Sequence, residues 1–85
     1  MAVQTESGER LLATLSPREQ QILEHTSRGS TNAQTAVDLH ISTHAVKFHL
    51  ASIYRKLGVA NRTEATARYV SYVSALARED MAPRS

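Results

Sequence analysis

Residues 36–62 read A-V-D-L-H-I-S-T-H-A-V-K-F-H-L-A-S-I-Y-R-K-L-G-V-A-N-R. The first four residues close a short helix, His40 and Ile41 make a tight turn, and Ser42 caps a longer helix that runs to about Leu57 and stops at Gly58. On a wheel of 100° per residue, Val46, Leu50, Ile53 and Leu57 fall within one narrow arc, which predicts a buried seam. Phe48 and Arg55 point almost opposite to it, with Ala51 and Ser52 on either side and Lys47 next to Phe48. An exposed Phe between basic residues is unusual on a helix that serves packing alone. Two helices joined by so short a turn form a helix-turn-helix, and in a basic segment that motif is most often a DNA reader.

The end signals extend in both directions. In S-P-R-E, Ser16 is an N-cap, Pro17 the first helical residue and Glu19 the third, so hydroxyl and carboxylate can each satisfy an orphan backbone N–H. Leu15, Ile22, Leu23 and Thr26 mark the buried side of this helix, and Gly29 ends it. Thr31 caps the second helix, about 32–39, whose apolar residues are Ala36, Val37 and Leu39. Beyond Gly58, Val59 folds back as an apolar latch. Asn61 and Glu64, in N-R-T-E, open a fourth helix over about 62–79. The expected fold is all-α: a four-helix helix-turn-helix domain over 15–79, with a flexible arm over 1–14 and a disordered tail over 80–85. Within the arm, Arg10-Leu11-Leu12-Ala13 can add a helical turn.

The fourth helix carries two adjacent apolar stripes, Ala65-Tyr69-Tyr72-Leu76 and Thr66-Val70-Val73-Ala77. One domain of this size covers one stripe of about 100°. The second invites a partner, and Tyr69, Val70, Tyr72, Val73 and Leu76 are the candidate dimer residues; the sequence does not choose between the stripes.

Composition narrows the function. Eighty-five residues make one small domain. With one Phe and three Tyr, aliphatic side chains supply most of the core. The chain has no cysteine, which excludes disulfides and thiolate metal sites and makes a reducing cytoplasm the natural setting. The first ten residues are polar and acidic, unlike a signal peptide. No apolar run approaches membrane-spanning length, so no membrane partner is expected. The net charge is +2, and it is concentrated: Lys47, Arg55, Lys56 and Arg62 face only Asp38 within residues 31–62, the electrostatic pattern of a nucleic-acid face.

Metal and enzyme readings find little support. His40 and His44 are four apart, but His40 lies in the turn, and His44 and His49 fall on different faces of a helix. No cysteine or well-placed carboxylate completes a site. The glycines are isolated, so no phosphate loop exists, and no paired carboxylates flank a base. The expectation is a binding protein without cofactor or metal. Two classes remain. One is a sequence-specific binder of double-stranded DNA. The other is a protein-interaction module that keeps the helix-turn-helix shape and binds a polymerase subunit or another regulator. The basic third helix favours DNA.

These residues match a family pattern. L-S-P-R-E at 15–19, Gly29, Asn32, Ala36, L-x-I-S at 39–42, V-K-x-H at 46–49, Ile53, K-L-G-V at 56–59 and N-R-T-E-A at 61–65 together resemble the LuxR-type (GerE-type) helix-turn-helix domain of bacterial transcription regulators, over residues 15 to about 76. The resemblance implies a four-helix domain whose third helix enters the major groove. By position, Lys47, Phe48 and Ala51 would lie nearest the base edges and His49 near the groove wall. Ser52, Thr43, His44 and Asn32 complete the DNA-facing set, with Arg55 and Arg62 on phosphates. Phe48 is suited to thymine methyls. The last helix would pair two copies on a two-fold operator, and RNA polymerase is a further candidate partner.

The pattern also has departures. Ala33 and Gln34 stand where the family usually carries basic and acidic residues. Thr35, His25 and Thr26 replace apolar residues, Ala45 replaces a threonine, and Ala51 replaces a polar contact. They imply a softer core and a less polar reading face. Most relatives carry an N-terminal receiver or ligand-sensing domain. With fourteen residues ahead of the motif, the chain reads as a stand-alone effector or as a C-terminal piece, and the initial Met leans toward the former.

Overall fold

A computed structural model of the chain describes residues 12–81, with side chains as far as Ala77. Those residues form α1 (Pro17–Ser27), α2 (Asn32–Leu39), α3 (Thr43–Leu57) and α4 (Arg62–Met81), and no strand occurs among them.

Local chemistry sets each boundary. Ser16 Oγ accepts from the Glu19 N–H at 3.1 Å while Glu19 Oε1 accepts from the Ser16 N–H at 2.9 Å. Thr31 and Gln34 form the same reciprocal box at the start of α2, at 3.0 and 2.8 Å. Ser42 Oγ accepts from the Ala45 N–H. Asn61 Oδ1 accepts from the Glu64 N–H, and Glu64 Oε1 accepts from the N–H of Ala60, one residue beyond the N-cap that a reciprocal box would use. Gly58, at φ +69°, ends α3 in the left-handed region, and the Val59 N–H bonds back to the Tyr54 carbonyl. His40 ends α2 in the same region, at φ +58°, a conformation that costs an L-residue about 1 kcal/mol.

Helical structure extends past the expected 15–79 at both ends. Residues 12 and 13 are helical, Leu12 packs against the core, and Gln20 Nε2 donates to the Leu12 carbonyl. These two residues belong to the turn that Arg10-Leu11-Leu12-Ala13 could add to the expected arm; residues 1–11 lie outside the described residues. At the other end α4 continues to Met81, through two residues assigned to the tail. The first stop signal in the sequence is Pro83, which disfavours helix at the residue before it; residues 82–85 lie outside the described residues.

The core is Leu15, Ile22, Leu23, Ala36, Val46, Leu50, Ile53, Leu57 and Ala65. α1 packs across α3 and α4, and α2 packs on α3. The two core threonines behave differently. Thr35, fully buried, donates from Oγ1 to the Thr31 carbonyl at 2.9 Å. Thr26, equally buried, has no hydrogen-bond partner for its hydroxyl among the described residues. Val37 is not a core residue: it is 73% exposed on α2.

Candidate nucleic-acid interface

The seam that buries Val46, Leu50, Ile53 and Leu57 fixes which way α3 faces. Thr43, His44, Lys47, Phe48, Ala51 and Arg55 are all exposed. From His44 to Arg55 they follow steps of three and four, so they share one side of the helix. Phe48 is 70% exposed, and its ring meets the His49 ring nearly edge-on, centroids 6.0 Å apart at 78°. His49 is half-buried beside it.

Other expected site residues are engaged inside the domain. Half-buried Ser52 turns its hydroxyl toward the Glu19 carboxylate, where it helps hold that acid's pKa down. Arg62 Nη1 donates to Asn32 Oδ1 at 3.0 Å, and its Nη2 donates to the Ser30 carbonyl. The start of α4 is thereby tied to the start of α2, and two expected DNA-facing residues are brought into contact with each other. A guanidinium has five donors, so these two bonds leave Arg62 with others.

The charges of residues 31–62 thus divide. Lys47 and Arg55 stand exposed on the α3 face, and neither has an ion pair or side-chain hydrogen bond among the described residues. Lys56 Nζ donates to Glu19 Oε1 at 2.8 Å. The Glu19 carboxylate is buried, and desolvation pushes its pKa up. The hydrogen bonds from Lys56, the Ser16 N–H and Ser52 outweigh that and hold it at about 2. Sequence reasoning missed this pairing. Glu19 had a complete local role as a cap, and nothing local points to a lysine 37 residues away. Two further arginines cap helix ends across the fold: Arg18 Nη1 donates to the Leu39 carbonyl at 3.3 Å and Arg68 Nη1 to the Leu57 carbonyl at 3.1 Å. The second of these clamps the end of α3 to α4.

Of the two stripes on α4, the first turns inward. Ala65 is buried, and Tyr69 and Tyr72 pack against the core. The second turns outward, with Val70 49% and Val73 40% exposed. No helix among the described residues is long and apolar enough to cross a membrane.

Comparison with known proteins agrees with this architecture. The family described as bacterial regulatory proteins, luxR family, matches residues 13–69. The probable transcriptional regulatory protein SgaR of Hyphomicrobium methylovorum is 45% identical over 60 residues, 71% of this chain and 28% of that protein. The transcriptional regulatory protein ComA of Bacillus subtilis (strain 168) is 41% identical over 59 residues, 69% of this chain and 28% of that protein. The quorum sensing-dependent transcriptional regulator RpaR of Rhodopseudomonas palustris is 46% identical over 54 residues, 64% of this chain and 22% of that protein. The chain therefore spans roughly a quarter of the length of these curated relatives. No solved structure matches it significantly. The chain belongs to the luxR family of bacterial regulatory proteins, a family of DNA-binding transcription regulators rather than of enzymes, and its helices are that family's helix-turn-helix domain.

Proposed function

We propose that the domain binds double-stranded DNA in a sequence-specific manner, with α3 in the major groove, and that it does so as the DNA-reading part of a cytoplasmic transcription regulator. The observation that carries this reading is the α3 face. Two exposed cations, Lys47 and Arg55, unpaired among the described residues, and an uncovered Phe48 stand on one side of a helix whose other side is the core seam. Lys47, Phe48 and Ala51 would meet base edges. Thr43, His44, His49 and Ser52 would flank them, and Arg55, Arg62 and Asn32 would meet phosphates, Arg62 through the donors its internal bonds leave free. Two copies would pair through α4 on a two-fold site. A gel-shift titration tests the reading: binding to duplex DNA that weakens steeply as salt rises is expected, and salt-independent or absent binding would refute it.

Contact with RNA polymerase is a second reading, favoured by one observation. Exposed Val37, with Ser30, Ala33, Gln34 and Asp38, lines a shallow groove of mixed polarity at α2, outside the α3 face. Val37→Glu should then abolish transcriptional activation while leaving DNA affinity unchanged. Equal loss of both would refute a separate polymerase surface.

A further inference from the structure

Phe48 takes no part in the core. It lies opposite the seam, 70% exposed, and its ring meets that of His49 nearly at right angles. One turn further on, the same face presents Ala51, which carries no group that could hydrogen-bond a base. The turn of α3 spanning 48 and 51 is therefore an apolar reader flanked by Lys47 and Arg55. The floor of the major groove offers hydrogen-bonding groups at every base pair, but only one apolar group, the methyl on C5 of thymine. The same methyl at the same groove position is present on 5-methylcytosine.

We infer that Phe48 reads the 5-methyl group of a pyrimidine as such, so that at one position of its site the domain prefers thymine to uracil and 5-methylcytosine to cytosine. The consequence is a DNA-binding domain whose affinity rises with cytosine methylation at that position. This rests on the proposed DNA reading and names the chemical group that one residue of that reading recognises.

The test uses the 85-residue chain and a duplex selected from random sequences. Each thymine of the selected site is replaced in turn by deoxyuridine, which removes one methyl and leaves base pairing intact. At one thymine, affinity should fall about fourfold, the value of one buried methyl group. With cytosine placed there instead, 5-methylation should raise affinity by a similar factor. In Phe48→Ala both ratios should collapse to about one, and in Phe48→Leu, which keeps an apolar tip, they should be partly retained. Circular dichroism should show both variants folded, since Phe48 is outside the core. Duplex binding in which no thymine responds to loss of its methyl overturns the inference, as do ratios that persist in Phe48→Ala. In either case the proposed DNA reading survives. Absence of binding to any duplex overturns both.

Discussion

The carboxylate of Glu19 on α1 and the ammonium of Lys56 on α3 meet at 2.8 Å, with the acid buried and the base partly in water. The pair joins the last turn of α3 to the first turn of α1, and Glu19 simultaneously caps its own helix. One side chain thus fixes both the start of α1 and the placement of α3.

The pair should make stability depend on acid. Glu19 titrates at about 2 in the folded chain against an ordinary 4.5. A depressed carboxylate contributes its stability above the unfolded pKa and loses it as pH falls through the folded one. The contribution should be complete above about pH 5 and should fade from pH 4.5 toward 2, with a ceiling of about 3 kcal/mol, reduced by the solvent that reaches Lys56. Glu19→Gln keeps the capping geometry but not the charge. The stability difference between parent and Glu19→Gln, from urea titrations at pH 7, 4 and 2.5, should shrink as pH falls. A constant difference would show that the ion pair contributes nothing.

Thr26 and Thr35 should respond in opposite ways to replacement by valine. The Thr26 hydroxyl is buried without a partner among the described residues, so Thr26→Val removes an unsatisfied group at nearly constant volume and should stabilise the fold by about 1 kcal/mol. Thr35→Val deletes the bond to the Thr31 carbonyl and should be neutral or cost up to about 1 kcal/mol. Thermal melts compare them directly. A lower Tm for Thr26→Val would mean that its hydroxyl has a solvent partner in solution.

Helix ends, the α3 seam and the exposure of Phe48 were legible in the sequence because each depends on residues within about one turn to four turns of each other. Ser16 with Glu19, Thr31, Ser42 and Gly58 act through their own backbone neighbours. The long-range partnerships were not legible. Glu19 with Lys56, Arg62 with Ser30 and Asn32, and Arg18 with the Leu39 carbonyl depend on how helices cross. No periodicity encodes a crossing. The choice between the two stripes of α4 has the same character: both satisfy the helical period, and packing decides that Tyr69 and Tyr72 face the core. Among the expected DNA-facing residues, the exposure of Lys47, Phe48, Ala51 and Arg55 was legible, while the internal bonds of Asn32 and Arg62 were not.

Lys47 and Arg55 should separate base reading from phosphate binding. Lys47→Ala should weaken specific binding by about 1–3 kcal/mol and relax preference at one base. Arg55→Ala should weaken all sequences alike and make the salt slope shallower by about one unit. Arg62→Ala differs from both, because it also breaks the bonds to Asn32 and Ser30. It should lower stability by about 1.5–3 kcal/mol as well as affinity. Titrations over a series of salt concentrations, beside melting curves, distinguish the three. An unchanged slope in both arginine variants would remove phosphate contact from their roles.

Val70 and Val73 are exposed while Tyr69 and Tyr72 pack inward, so the pairing surface should centre on Val70 and Val73. It would be small, on the order of a few hundred Å² per partner and below the size of a stable interface. The protein should therefore be monomeric when dilute and paired on DNA, where half-sites about one helical turn apart hold two copies together. Binding to an inverted repeat should be cooperative in the parent. Val70→Glu and Val73→Glu should each keep the Tm and single half-site affinity but lose cooperativity, because a carboxylate would be buried against its own copy across the two-fold axis. Tyr72→Glu should behave differently, since it disturbs packing on the core and the contact of its hydroxyl with Arg68; it should lower the Tm first. If both valine variants fold and still bind the full site cooperatively, α4 does not hold the two copies together.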